Sequence, residues 1–499
     1  MSARTRFLRL LDEAPGDAEA IEHDGAWTTW GTLRHLGERL ESELRERGLA
    51  AGTRVGVVLE NRPEHVGVLL AVIATERCVV TLSGMQPPQR LSADIGASDV
   101  PVLVASSEML ARPGIREAAG DAIVLCLSAT GLELVADGRP AGREASPGVV
   151  VEMLTSGTTG PPKRVRISDR QFDAALATSV PEPPAGDLFR SGVTLLTAPL
   201  VHIGGFWGAL GPIYAGRRIV MLGKFSLEPW LAAVRAHRPR AVSLVPAALR
   251  TVLSAGVPAE DLASVEVVTT GTAPCPPELI DDFLDTYGIR VLPTYGATEF
   301  AGAVALWSHP MHQQWWERKK GSAGRALPGT RLRVVDADGT ELAADTVGHL
   351  EIRTRQSPVG ADTWLRTSDL AAIDADGFLW IHGRADDAIV RGGFKVHPEQ
   401  VRKVLETHPA VREAAVAPLP DKRLGQVPVA AVELEPGAVV PAPGELVAHC
   451  REALLPYEVP TYVAVLDALP RTPSEKVSRV DLLELVTAEL ARVAEPSSA

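Results

Sequence analysis

The sequence predicts an α/β protein: a large, multi-layered N-terminal domain of β-sheets and helices, followed by a small α+β C-terminal domain. Three observations carry this expectation. Apolar, β-branched runs alternate with helix-spaced segments through the first two thirds of the chain. After about Gly321 that alternation gives way to short strands divided by Asp-Gly turns. A compact α+β pattern begins at Gly383, and 499 residues exceed what one ordinary core holds.

The elements follow in order. Residues 21–50 place Leu33, Leu36, Leu40 and Leu44 on one helical face, and residues 55–59 read as a buried strand. Pro63 suits the first turn of the next helix, where its missing N–H costs nothing. Further strands are expected at 102–104, 123–126, 193–196, 219–222, 241–245 and 265–268. The sequence Asp-Ala-Asp-Gly occurs at 336–339 and again at 374–377. Neither copy is followed by the later oxygen ligands of a calcium loop, so both are expected to be hairpin turns. Residues 398–407 and 445–454 are expected to be helical, and 411–418 and 427–434 to be strands. Residues 136–148 and 179–187 read as surface loops, and 495–499 as a frayed tail.

Hydrophobic residues make up 45% of the chain and charged residues 22%, as in soluble globular proteins. The net charge of −12 argues against nucleic-acid or anionic-membrane partners. Cys78, Cys126, Cys275 and Cys450 have no metal-ligand or redox-pair spacing and read as the reduced thiols of a cytoplasmic protein. Cys275 has no recognisable base beside it. The N-terminus lacks a signal peptide's apolar core. The longest early apolar stretch, 66–74, ends at Thr75-Glu76-Arg77, well short of the ~18–20 residues of a membrane span.

The chemistry is concentrated in Leu154-Thr155-Ser156-Gly157-Thr158-Thr159-Gly160-Pro161-Pro162-Lys163, which follows the apolar strand 149–153. Glycines let backbone N–H groups turn toward phosphate oxygens, while hydroxyls and a lysine add donors and charge. Two prolines between the last glycine and the lysine separate it from a Walker loop. The segment resembles the phosphate-binding signature of the adenylate-forming superfamily of acyl-CoA synthetases, peptide-synthetase adenylation domains and luciferases. Four further segments resemble that family's motifs in the same order. They are Tyr295-Gly296-Ala297-Thr298-Glu299, Thr367-Ser368-Asp369, Gly383-Arg384-Ala385-Asp386-Asp387 and Pro470-Arg471-Thr472-Pro473-Ser474-Glu475-Lys476.

The resemblance implies ATP-dependent activation of a small carboxylic acid as an acyl-adenylate, with release of pyrophosphate and transfer to a thiol. CoA is the first expectation for that thiol. A mixed anhydride replaces oxide by AMP as leaving group, so the protein must hold two anions together and stabilise charge at phosphorus. It also implies an adenylation domain over 1–384 and a mobile cap over 385–499, reorienting about Asp386. By the same resemblance Thr155, Ser156, Gly157, Thr158, Thr159, Gly160 and Lys163 would serve the β- and γ-phosphates, Thr298 the α-phosphate, and Glu299 the Mg²⁺. Tyr295, Gly296 and Ala297, with Gly271, Thr272 and Ala273, would line the adenine slot; relatives usually have Gly where Thr272 stands. Asp369 and Arg384 would serve the ribose, with Ser368 in place of the usual Gly. Lys476, preceded by Glu475 rather than Gly, would bridge carboxylate and α-phosphate.

Gly392 and Gly393 would leave room for a pantetheine arm or simply make a turn. His202, beside the acyl pocket, would gate it or sense the carboxylate. No Asp lies between Ser191 and Asp261 to bind an α-amine, which points to a plain carboxylic acid. Trp307, Trp315 and Trp316 would shape a lid or cover surface. The competing readings are an enzyme that loads a carrier protein or an unusual nucleophile (an amine or inorganic anion) and a nucleotide-binding regulatory pseudoenzyme. A monomer or homodimer is expected.

Overall fold

The structure, a computed structural model, describes residues 1–139, 143, 145–155, 163–181, 187–392, 394–472 and 476–494. Its described residues fall into two compact units. The first takes those up to Arg331 together with Arg353–Trp364; the second takes Leu332–Ile352 and those from Leu365 onward.

Three sheets build the first unit. The seven-stranded one runs Gly131–Ala136, Ile123–Ser128, Val102–Ser106, Arg54–Leu59, Cys78–Ser83, Val149–Thr155, Lys163–Ser168 in spatial order. Its five inner strands are parallel and its two outer ones antiparallel. Val55, Val57 and Val58 are fully buried, which explains the continuous rather than alternating apolar runs: helices cover both faces. Pro63–Ala74 starts on its proline and is buried on nearly all sides. Trp30–Glu46 is capped by the Thr29 hydroxyl and buries Leu33, Leu36, Leu40 and Leu44 as expected. Residues 19–29, within the same stretch, form a hairpin instead.

That hairpin completes the second sheet, in the order Val193–Leu196, Arg218–Met221, Glu19–His23, Ala26–Thr29. The third sheet runs Ala241–Ser243, Val267–Thr270, Arg290–Ala297, Gly302–Leu306, Arg325–Ala326, with the first three strands parallel. Two strands are displaced from expectation. Pro246 opens a helix with Val245 as its cap, which ends the strand at Ser243. The Val265 amide closes the preceding turn onto Leu262 O, so the next strand starts at Val267.

Arg331–Val335, Gly348–Arg353, Leu365–Ile373 and Leu379–Arg384 form a four-stranded sheet that belongs, apart from Arg331 and Arg353, to the second unit. Both Asp-Ala-Asp-Gly segments are turns. In each, the first aspartate spends its Oδ1 on two backbone amides: Asp336 accepts from Asp338 and Thr340, Asp374 from Asp376 and Phe378, all at 2.9 Å. Gly339 and Gly377 supply the positive φ. Among the described residues no cluster of three metal-ligating side chains occurs.

The C-terminal sheet contains Ile389–Arg391, Phe394–Val396, Val411–Asp421, Gly425–Leu434 and Val463–Val465. Its long strands alternate strictly. Ala414, Val416, Ala430 and Val432 face one apolar cluster, which includes Val401, Leu405 and Cys450 from helices Pro398–Glu406 and Glu445–Ala453. Ala415, Ala417, Val429 and Ala431 face another, against Leu482 and Val486 of helix Arg479–Ala494. The expected loops include residues 140–142, 144 and 182–186, which lie outside the described residues, as does the tail 495–499. Among the described residues no helix is long and apolar enough to cross a membrane.

His65, in the buried helix, is 0% exposed and lies 3.6 Å from Glu60 Oε2, beyond hydrogen-bond reach. Burial, reinforced by Arg62, pushes its pKa down to about 3. The unfolded chain binds that proton near pH 6.5, so its contribution to stability is complete above that pH and lost progressively as pH falls toward 3. Urea unfolding at pH 7 and pH 5 should show His65→Leu losing less stability between the two than wild type, by about 1–2 kcal/mol. Identical losses would mean that His65 is already protonated, or solvated, in the fold.

Candidate active site

Four segments of the first unit meet where strands end. Val267–Thr270 pairs in parallel with Arg290–Ala297, Thr270 lying opposite Pro293. Parallel neighbours leave a sheet at the same edge, so Gly271-Thr272-Ala273 and Tyr295-Gly296-Ala297 emerge side by side. A side chain at Gly271 would press within 2.6 Å of Thr294 Oγ1. One at Gly296 would overlap the carbonyl of Gly302 and the Cα of Ala303 on the returning strand. Gly296 is therefore required by backbone packing, whatever faces its other side.

Thr298 and Glu299 occupy a short 3₁₀ turn, Thr298–Phe300, closed by the Ala301 amide on Thr298 O. Glu299 is exposed and its backbone carbonyl accepts a 3.5 Å hydrogen bond from Gln171. Gln171 is buried, also donates to Gln356 O at 3.0 Å, and shares a capping box with Ser168. Strand Lys163–Ser168 packs beside the Thr298–Phe300 turn. Thr155 and Lys163 are register partners, at the facing ends of the two strands that bracket residues 156–162. Ser156, Gly157, Thr158, Thr159 and Gly160 lie outside the described residues. Strand Lys163–Ser168, paired with Val149–Thr155, and the turn that carries Glu299 are thus neighbours.

His202 is half-buried and is the N-cap residue of Ile203–Tyr214. Its N–H donates to Pro199 O and its carbonyl accepts from Phe206. The helix start lies against the Gly271-Thr272-Ala273 loop: a Cβ on Gly204 would be 3.9 Å from the Thr272 methyl. One on Gly302 would be 3.3 Å from Trp207 Nε1. Trp207 stacks on Phe172 at 4.8 Å, and its buried indole N–H has no hydrogen-bond partner. Gly204, Trp207, Thr272 and Gly302 therefore converge on one region. The sequence had suggested the segment but not Trp207 or Gln171, whose partners are distant in the chain.

Within the second unit, Asp369 and Arg384 face each other as register partners. The Asp369 amide donates to Thr367 Oγ1 at 3.1 Å, and Ser368 O accepts from Ala385 at 2.7 Å. Ser368 has no positive φ, so serine is tolerated where relatives carry glycine. Arg384 forks onto Asp386 at 2.9 and 2.7 Å, which raises its pKa further. Asp387 is held by Arg479 at 2.6 Å. Lys476 is exposed; its carbonyl accepts from the Thr472 amide, and Arg471 bridges Val477. Gly392 has φ +58° between the register partners Arg391 and Phe394; Gly393 lies outside the described residues.

Two other candidates resolve as structure. Burial pushes the Cys275 thiol up to about 12, so it stays protonated at neutral pH. Trp307 and Trp316 are buried, their indoles donating to Ser322 O and Asp281. Trp315 is partly exposed, with Arg318 and Arg325 within 4.8 Å of its ring.

Comparison with known proteins accords with this layout. The family described as AMP-binding enzyme matches residues 9–357, and the AMP-binding enzyme C-terminal domain matches 400–476. An indoleacetate–CoA ligase of Aromatoleum aromaticum is 30% identical over 487 residues, 92% of this chain and 93% of its own. A fatty acid–[acyl-carrier-protein] ligase, ScoC, of Streptomyces coeruleorubidus is 28% identical over 491 residues, 95% and 94% of the two chains. The solved amide bond synthetase McbA of Marinactinospora thermotolerans superposes with a TM-score of 0.79 at 27% identity, over 97% of this chain and 99% of its own.

Thr272 has φ +68°, a region that a β-branched side chain enters only under strain. Thr272→Gly should therefore raise thermal stability, by up to about 1 kcal/mol once glycine's own entropy cost is subtracted. A clear fall in melting temperature would show instead that contacts of the threonine side chain outweigh its backbone strain.

Proposed function

This chain belongs to the AMP-binding enzymes, the adenylate-forming ligases, and from that premise we propose that it joins a plain carboxylic acid to AMP and passes the acyl group to CoA. One observation carries the reading. The strands flanking the phosphate loop, the Thr298–Glu299 turn and the adenine-side loop are adjacent at the carboxyl ends of parallel strands, where anion-binding loops collect. We assign Thr155, Ser156, Gly157, Thr158, Thr159, Gly160 and Lys163 to the phosphates of ATP, and Thr298 to the α-phosphate. Tyr295, Gly296, Ala297, Gly271, Thr272 and Ala273 are assigned to adenine, and Asp369 and Arg384 to ribose.

Glu299 is a lone exposed carboxylate, a donor set suited to Mg²⁺ that arrives on nucleotide phosphates rather than in a protein cage. When bound, Mg²⁺ would offset repulsion between phosphate oxygens. His202, Gly204, Trp207, Thr272 and Gly302 are the proposed acid-binding wall. The absence of an Asp between Ser191 and Asp261 favours an acid without an α-amine. We assign Lys476 to the charge that moves between carboxylate and α-phosphate, Gly392 and Gly393 to the passage of the acceptor thiol, and the cap to residues 385–499. Cytoplasmic location belongs to the same reading.

A panel of acids assayed for pyrophosphate release, with and without CoA, tests the reading. CoA-dependent turnover with at least one acid is expected. Adenylation without CoA use would turn the reading toward a carrier protein or an amine, and no adenylation with any acid would sink it.

Lys476→Ala should slow adenylation about 10²–10³-fold, the usual cost of losing a preorganised electrostatic contact. It should cost little stability, because the side chain is exposed. A supplied acyl-adenylate should still reach its thiol at the wild-type rate. If adenylation survives, another cation performs this task and the assignment is wrong.

A further inference from the structure

Asn61 lies two residues beyond the carboxyl end of Arg54–Leu59 and makes no contact that the activation chemistry requires. Its side-chain amide nonetheless joins three loops at the carboxyl ends of strands in two different sheets. Nδ2 reaches Ala198 O at 3.0 Å, beyond strand Val193–Leu196, and Leu222 O and Gly223 O at 3.2 Å each, beyond strand Arg218–Met221. Oδ1 accepts the Leu200 N–H at 2.8 Å. Three carbonyls on one side and an amide hydrogen on the other leave a single orientation for this group. A flipped amide, or a carboxylate, would set oxygen against three carbonyl oxygens.

What the clamp holds leads directly to the proposed acid-binding wall. Ala198–Leu200 runs into the turn in which His202 N–H bonds Pro199 O, and His202 O then accepts the first helical amide, from Phe206. A side chain at Gly205 would overlap the Pro199 carbonyl, so turn and helix start are packed without slack. Gly204 lies beside Thr272 and Trp207 beside Gly302, so a shift of residues 198–200 is passed to both contacts.

We propose that Asn61 is a positioning residue for substrate choice: it holds the 198–202 segment so that His202, Gly204 and Trp207 present a fixed surface to the carboxylic acid. The proposal rests on the acid-activation reading above. Asn61 touches neither reactant and acts through the backbone it ties.

The test compares Asn61→Leu and Asn61→Asp with a control, Ser98→Ala, which removes the buried Ser98–Ile95 hydrogen bond elsewhere in the unit. ATP–pyrophosphate exchange over the acid panel should show KM for the best acid rising about tenfold in Asn61→Leu. KM for ATP should stay within about twofold, and the order of preferred acids should change. Asn61→Asp should be worse than Asn61→Leu, because its charge faces three carbonyls. Ser98→Ala should lower the melting temperature without moving either KM. If Asn61→Leu raises both Michaelis constants equally, or moves neither, the proposal is overturned while the ligase reading stands. If the wild type activates no acid, the ligase reading fails first, and faster amide exchange at Leu200 in Asn61→Leu would then reduce the clamp to plain structure.

Discussion

Parallel strand pairing decides where this protein can bring groups together. A parallel ladder forces its strands to leave the sheet at one edge, and their connections to return behind it. The pairing of Val267–Thr270 with Arg290–Ala297 therefore places Gly271–Ala273 next to Tyr295–Ala297 without any further instruction. The same rule sends residues 198–200 and 222–223 out of the second sheet together, and Asn61 out of the first. Site residues from three sheets become neighbours because each sheet discharges its loops at its carboxyl edge. What remains for side chains is to pin those loops, and Gln171 and Asn61 do so through backbone carbonyls rather than through substrate.

Features that depend on a few consecutive residues were legible in the sequence. The leucine face of Trp30–Glu46 and the two Asp-Ala-Asp-Gly turns each follow from local geometry and hydrogen bonding. Ser368 was an open question only because its φ cannot be read from composition. Contacts between distant residues were not legible. The Asn61 amide spans 137 residues to Ala198 and Gln171 spans 128 to Glu299, and no local pattern encodes such pairings. His65 reads in sequence as one polar residue on an apolar helix; its lowered pKa is a property of what the fold packs around it. Strand limits slipped for a similar reason, since Pro246 and the Val265 amide serve neighbouring elements first.

The loop Gly271-Thr272-Ala273 shows local preference yielding to position. Thr272 adopts a backbone conformation in which glycine would be at ease, yet its methyl faces the start of the His202 helix. Gly296 is the reverse case, a glycine that the returning strand demands. Such departures collect where loops must approach each other closely, and a fold this large can carry the strain of one residue.

The acceptor is where similar proteins differ by name: a CoA ligase, an acyl-carrier-protein ligase and an amide bond synthetase all resemble this chain over more than nine tenths of its length. Chemistry explains why such divergence needs little structural change. Once the carboxylate is an adenylate, its carbonyl carbon is electrophilic toward any nucleophile admitted to it, and the acceptor is selected by access and by proton removal. A thiol with a pKa near 8.5 is a few per cent thiolate at neutral pH, whereas an amine near 10 is almost wholly protonated and must be stripped by a base. Among the described residues of the proposed wall, apolar, hydroxyl and glycine positions surround a single imidazole, His202. Cys275, half-buried and with its thiol pushed up to about 12, offers neither a base nor a covalent relay. A thiol therefore asks less of the protein in proton removal than an amine does, and it is on this chemical ground that CoA is the proposed nucleophile.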